Sequence, residues 1–366
     1  MSRFLRLLIL LAVLVFACGA LSVIGLLLVS GGNPVNYVQT TLLQISLAGR
    51  TADLNSSVGS STDPVRFEIQ SGDTPRMIAQ NLVNSGLILD PNLFVDYVRA
   101  EHMDTQLQAG VYFLTQAQTM VEIAVALTDS GSSQFPFRIL EGWRSEEIAE
   151  AIDSNPYFGF SGDDFLAVVG AGASADPEFS MLVGLPAGAP LEGFLFPNTY
   201  QLPAQITPEL LRDYLLDEFL TQAGDLADDA AAQGLSLFDV VRLASIVQRE
   251  AVHADESAQI AGVYRNRLNI DMKLDADPTV QYGLNGSRGS WWPQITQADY
   301  TGVISPYNTY LNNGLPPSAI SNPGLAAIQG VINATQSPYL YFRAECNGSG
   351  YHVYAQTFEE HVANGC

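Results

Sequence analysis

The stretch VRFEIQSGDTPRMIAQNLV (65–83) returns an offset of 70 later as PFRILEGWRSEEIAEAID (136–153). Phe67 falls on Phe137, Ile69 on Ile139, Gly72 on Gly142, Ile78 on Ile148, Ala79 on Ala149 and Leu82 on Ile152. Each copy alternates like a half-buried strand, turns at a glycine, and then carries apolar residues at helical spacing. In the second copy Ser145, with Glu146 and Glu147 behind it, reads as a capped helix start. Strand and helix within one short unit predict an α+β fold. Between the copies, GVYFL (110–114) reads as a strand and MVEIAVALTDSG (120–131) as a helix stopped by glycine.

Working outward toward the N-terminus, Gly31 to Asp63 is rich in Gly, Asn, Ser and Thr and reads as a tether. Its middle, Tyr37 to Leu47, has enough apolar residues for a short helix. Before it, Leu7 to Val29 (LLILLAVLVFACGALSVIGLLLV) is uncharged. As a helix it would extend about 34 Å, enough to cross a bilayer core of about 30 Å. Arg3 and Arg6 flank it on one side only, which predicts a single-pass span with residues 1–6 in the cytoplasm and the rest outside. The apolar run is longer than a cleaved signal peptide needs. It also continues past Cys18, the residue a lipoprotein reading would modify.

Charge and cysteine content narrow the function classes. The 366 residues hold 38 acids against 16 Lys plus Arg, a formal charge of −22, and Lys273 is the lone lysine. Phosphate backbones would be repelled by such a surface, so nucleic acid is excluded as a partner. Three cysteines exclude a disulfide-dense scaffold and a CxxC metal or redox site, while Cys346 and Cys366 could pair outside the cytoplasm. His102, His253, His352 and His361 are scattered without a ligand pattern, so no metal and no cofactor is expected.

Downstream of the repeat, Thr207-Pro208-Glu209 opens a helix to about Gln222, Ser236 to Glu250 forms another, and Asp255 to Leu268 a third. Glu250 follows Val247, Ile246 and Leu243 by three, four and seven residues, which puts all four on one helix face. A carboxyl among aliphatic side chains loses solvation, and at a helix C-terminus it meets the negative end of the dipole. Both effects raise its pKa and prepare it to donate a proton near neutrality. A glutamate on the rim of a core face would look the same in sequence.

Five blocks in order carry a resemblance: LEGFLFPNTYQL (191–202), LASIVQRE (243–250), AGVYRNRLNIDMKLDADPTVQYGL (261–284), SPYNTYLNNGLPPSAISNPGLAAIQGVINA (305–334) and SPYLYF (337–342). With the N-terminal apolar helix they resemble the endolytic murein transglycosylase family, YceG-like lytic transglycosylases of the bacterial cell wall. The repeat unit is similar to LysM-like modules of cell-wall proteins, with a plain α+β packing unit as the alternative.

The resemblance implies a membrane-anchored enzyme acting on peptidoglycan glycan strands from the extracytoplasmic side of the cytoplasmic membrane, in partnership with peptidoglycan synthases. Its fold would comprise the membrane helix (7–29), a linker (30–63), a LysM-like subdomain (64–131), a second α+β unit (132–205) and a mixed α+β catalytic domain (206–366). Glu250 matches the catalytic glutamate of the family's ASIVExE-type block, whose earlier acid is Gln248 here. Glu192, Asp277, Tyr282, Asn308 and Tyr310 match blocks that would line the substrate site. Glu192 has a competing reading as a glutamate that bonds turn amides beside Gly193. Trp291 and Trp292 are either a sugar-stacking platform or a loop anchor. A muramidase using Glu250 and Glu192, and a non-catalytic wall-binding protein, are the alternatives.

Overall fold

The computed structural model describes residues 34–366. The expected membrane segment and its cytoplasmic flank lie outside them. Among the described residues no helix is long and apolar enough to cross a membrane. The chain divides into two compact units at Ser133/Gln134, each a mixture of helices and small two-stranded sheets.

In the first unit, helices α1 (Pro34–Ala48) and α2 (Thr51–Leu54) precede strand β1 (Val65–Ile69), α3 (Pro75–Asn84), α4 (Pro91–Ala100), strand β2 (Gly110–Leu114) and α5 (Met120–Ala126). Strands β1 and β2 pair antiparallel, Phe67 opposite Tyr112. Their inner side chains join Ile78, Leu82, Phe94 and Val98 in one core. The short helix read over 37–47 lies within α1, and with α2 it takes up much of the stretch otherwise expected to be a tether. Leu43, Leu47 and Leu54 recur at helical spacing and pack on this core, so apolar periodicity outweighs the polar composition around it. Arg50 fastens the junction by its ion pair with Asp90 at 2.8 Å.

The second unit begins with β3 (Gln134–Arg138), followed by α6 (Ser145–Asp153), α7 (Gly162–Val169), α8 (Pro177–Val183) and β4 (Thr199–Pro203). β3 and β4 pair antiparallel, Phe137 opposite Tyr200. The repeat therefore runs deeper than strand, turn and helix. Each copy is closed by a returning antiparallel strand, with one extra helix in the second. Gly72 and Gly142 both turn at positive φ, 95° and 78°. The helix starts differ. Thr74 caps α3 by accepting the Met77 N–H, whereas Ser145 is already the first residue of α6 and its N–H is bound by the Glu192 carboxyl.

The expected boundary at 205 is absent. Phe194, from the LEGFLFP segment, packs edge-on against Phe179 of α8 and Phe219 of α9 (Pro208–Ala223), with ring centroids 5.6 and 4.9 Å away. One core thus joins the second repeat to the helices after it: α10 (Ala227–Ala231), α11 (Leu237–Glu250), α12 (Ser257–Asn269), α13 (Asp277–Leu284), α14 (Gln297–Gly302) and α15 (Leu325–Ile332). The chain ends in an antiparallel hairpin, β5 (Tyr341–Ala344) and β6 (His352–Ala355), and α16 (Phe358–Ala363). Cys346 and Cys366 are bonded, tying the hairpin turn to the C-terminus across a sequence separation of 20. A loop of that length contributes about 3 kcal/mol by restricting the unfolded chain.

Gly193 is where the LEGFLFP turn meets α11. Its φ is +94°, and a Cβ there would stand 2.5 Å from Val241 Cγ1 and from Ala319 Cβ. Gly193→Ala is expected to lower stability by about 2–4 kcal/mol through left-handed strain and overpacking. Thermal melting checks this; an unchanged melting temperature would mean that the turn relaxes freely.

Candidate active site

Helix α11 is built to present its last residue. Ser236 caps it, its hydroxyl accepting the Asp239 N–H at 3.1 Å while the Asp239 carboxylate accepts the Ser236 N–H. Leu243, Ile246 and Val247 are buried beneath it. Ser245, also buried, donates its hydroxyl to the Arg242 carbonyl at 2.8 Å and accepts the Ile320 N–H at 3.0 Å. Gln248, where the family pattern has an acid, accepts the Gly324 N–H at 2.9 Å. These bonds lay the helix along the 320–324 segment and leave Glu250 at its C-terminal end.

Glu250 is half-buried, and its Oε1 accepts a hydrogen bond from the Tyr264 hydroxyl at 2.9 Å. Burial pushes its carboxyl up to about 7, and the negative charge of Asp277 adds to the rise. The Tyr264 bond and the charges of Arg267 and Arg249 hold it from going further. A carboxyl in this range holds a proton near neutrality and releases it without a large penalty.

Glu250 faces a cleft of about 640 Å³. Asp277, at the first position of α13, receives the Tyr310 hydroxyl at 2.7 Å. Tyr310 stacks on Tyr300 with centroids 4.2 Å apart, so an aromatic face stands beside the two carboxyl groups. The opposite wall comes from β5, β6 and α16 and includes Phe342 and His352. Arg267 braces the floor. It donates to the Leu340 carbonyl at 2.6 Å and the Leu274 carbonyl at 2.7 Å, joining the two chain segments that flank the cleft.

Three of the residues predicted to line the site are used internally. Both oxygens of buried Glu192 accept the Ser145 N–H, at 3.1 and 3.2 Å, and Oε1 also accepts from Asn322 Nδ2 at 3.0 Å. Burial and the nearby Glu146 charge raise the Glu192 carboxyl to about 8. Asn308 is fully buried; its amide donates to the Tyr300 and Val303 carbonyls and its oxygen accepts the Tyr310 N–H. It holds the YNTY loop in shape and so positions Tyr310. Tyr282 lies under the Arg144 guanidinium, 4.0 Å from its centroid. The two tryptophans also face inward. Trp291 and Trp292 donate their indole N–H groups to Glu150 and Glu147 of α6, at 3.0 and 2.9 Å, while Arg249 stacks over Trp292 at 3.9 Å.

Glu250, Asp277 and Tyr310 are the predicted residues brought together around the cleft. Tyr264, Arg267, Tyr300 and His352 join them; Tyr264 and Arg267 fall within the resemblance block 261–284, but nothing there singles them out. Tyr264 and Arg267 sit on an ordinary helix pattern, and His352 was one of four scattered histidines. Only the placement of α12 and β6 beside the end of α11 gives them a shared cavity.

A carboxyl whose folded pKa of about 7 exceeds its ordinary 4.5 favours the fold most at low pH, and that contribution is lost as pH rises from 4.5 through 7. Glu250→Gln, which cannot ionise, should therefore gain about 1–3 kcal/mol relative to the parent between pH 4 and pH 8. Tyr264→Phe removes a bond that favours the ionised form, so the Glu250 pKa should rise further. Denaturant unfolding at several pH values and a carboxyl NMR titration read the two effects; a pH-independent difference, or an unmoved pKa, would contradict this account of the site.

A model of the YceG-like family matches residues 67–365. The chain is 29% identical over 327 residues to a Streptococcus pneumoniae protein named endolytic murein transglycosylase, covering 82% of this chain and 57% of that protein. It thus spans little more than half the length of that relative. A Bacillus subtilis protein of the same name is 28% identical over 310 residues, covering 81% of this chain and 82% of its own. The crystal structure of a YceG-like protein from Listeria monocytogenes superposes with a TM-score of 0.53 at 28% identity, covering 83% of this chain and 99% of that one. With the family match extending over most of its length, this chain belongs to the YceG-like family.

Proposed function

We propose that this protein is a membrane-anchored, endolytic peptidoglycan lytic transglycosylase. It cuts the bond between N-acetylmuramic acid and N-acetylglucosamine and leaves 1,6-anhydro ends. The observation that carries this reading is Glu250, a carboxyl raised to about 7 at a helix end and facing a cleft with aromatic walls. The names of the pneumococcal and Bacillus relatives point to the same chemistry.

In this mechanism the Glu250 proton goes to the glycosidic oxygen as the bond to muramoyl C1 breaks. The muramoyl C6 hydroxyl oxygen then bonds to C1 in place of water, and its proton needs an acceptor. In the simplest form that acceptor is Glu250 itself, now a carboxylate, so that one group acts as acid and base in turn. Tyr310 and Tyr300 offer ring faces to the sugars, and Asp277 keeps the Glu250 proton in place by its charge. A two-carboxylate hydrolase would need a second acid about 5–9.5 Å from the first and open to substrate. Glu192, with its oxygens taken by Ser145 and Asn322, is poorly suited to that role.

The remaining assignments come from the sequence. Residues 7–29 anchor the chain in the cytoplasmic membrane with the globular units on the extracytoplasmic side. The strand-helix-helix-strand order of the first unit supports a LysM-like role in holding glycan. An anchored endolytic enzyme would act on strands near the membrane where synthases extend them, and so limit their length.

Digestion of purified glycan strands tests the reading. The parent should yield anhydro ends, and Glu250→Gln should lose at least about 10³-fold in rate while still binding glycan. Reducing ends from the parent would point to a hydrolase, and an active Glu250→Gln would remove this residue from the mechanism.

A further inference from the structure

A buried carboxyl stands behind His352 in the wall of the same cleft. Glu256, in the short turn between α11 and α12, is 6% exposed. Its Oε1 accepts the backbone N–H of His352 at 2.9 Å and the Tyr354 hydroxyl at 3.1 Å, and its Oε2 meets His352 Nδ1 at 3.0 Å. A carboxylate oxygen accepts, so in this bond Nδ1 is the donor and Nε2 is the ring nitrogen left outside it. Phe342 packs edge-on against the imidazole with centroids 5.4 Å apart and fixes its plane. The ring lines the cleft together with Glu250. A histidine wanted only for packing in β6 would not need a buried carboxylate to choose its tautomer. Such a pairing is the usual means of holding an imidazole ready as a base.

We propose that His352 is the catalytic base that takes the C6 hydroxyl proton, with Glu256 as its positioning residue. This rests on the lytic reading of the cleft and divides the proton work between two groups. Glu250 gives its proton to the leaving O4, and the C1–O4 bond breaks with its electron pair on that oxygen. The C6 oxygen forms its bond to C1, and the proton it loses passes to His352 Nε2. Glu250 leaves the step as a carboxylate and His352 as an imidazolium, and exchange with solvent restores both. The division removes the need for one carboxyl to empty and refill within a single turnover.

Steady-state kinetics on defined glycan strands test the assignment in the full chain. His352→Ala should lower kcat by about 10²–10⁴-fold with little change in KM. Added imidazole should restore part of that rate to His352→Ala and none to Glu250→Gln, because only the former lacks a base. Glu256→Gln should lower kcat by about 10–100-fold, as loss of an orienting partner does. A His352→Ala variant within threefold of the parent, or one that melts like the parent and gains nothing from imidazole, overturns the proposal. Where His352→Ala fails to fold, His352→Gln decides: its amide cannot take a proton, so parental kcat overturns the proposal and a kcat loss at constant KM supports it. Failure of the underlying lytic reading would show separately, as cleavage by Glu250→Gln or reducing ends from the parent.

Discussion

Asn322 is the constraint on which the second unit of the molecule depends. Its side-chain oxygen accepts the N–H groups of Gly193 and Leu195 at 2.8 and 3.1 Å, and its amide donates to the Trp143 carbonyl and to Glu192. Its backbone exchanges bonds with Gly142 and Trp143. One fully buried side chain thus ties the turn before α6, the LEGFLFP turn and the segment leading into α15. Each such bond has a modest net worth, about 0.5–1.5 kcal/mol, but leaving any of these buried groups unpaired costs more. The three segments therefore hold together as a unit. Because Ser245 and Gln248 fasten α11 to the same 320–324 segment, the position of Glu250 depends on this junction.

The two raised carboxyls show how burial can serve opposite ends. Glu192 and Glu250 are both pushed up, chiefly by desolvation. Glu192 is enclosed by donors from Ser145 and Asn322 and closes a structural network. Glu250 keeps one tyrosine bond and faces an open cavity. The difference is access, and it separates a carboxyl that organises the fold from one able to exchange a proton with a ligand. Nearby, Arg144 is 1% exposed, held between Glu146 and the rings of Tyr282 and Trp291. The tryptophan loop is clamped onto α6 by the same arginine-aromatic contacts, which explains why these conspicuous residues face inward.

Much of the local structure is legible in the sequence. The repeat predicts β1 with α3 and β3 with α6, and the Ser236 and Thr207-Pro208 signals place α11 and α9 to within a residue. Apolar spacing around Glu250 predicts a desolvated carboxyl at a helix end. Sequence reading is weaker where composition and periodicity disagree. Residues 31–63 look like a tether by composition, yet Leu43, Leu47 and Leu54 are enough to fold much of that stretch onto a core. The capped start read at Ser145 holds, with Glu147 accepting the Arg144 N–H at 3.0 Å, but a further cap on it is long-range. The Ser145 N–H goes to Glu192, 47 residues away, and no local pattern reports that bond.

The sequence by itself determined the opening strand and helix of each repeat copy, the helix that ends at Glu250 and the family to which the chain belongs. These rest on local periodicity, capping chemistry and ordered blocks of residues. Only the tertiary structure decided which polar residues face the cleft. Asn308, Glu192 and Tyr282 carry the same chemistry as Tyr310 and Asp277, and the division between them is set by which donors and rings lie across long-range contacts. The same holds for His352, whose orientation depends on Glu256, 96 residues earlier. A side chain's chemistry is local, but its exposure and its partner belong to the packing of distant segments.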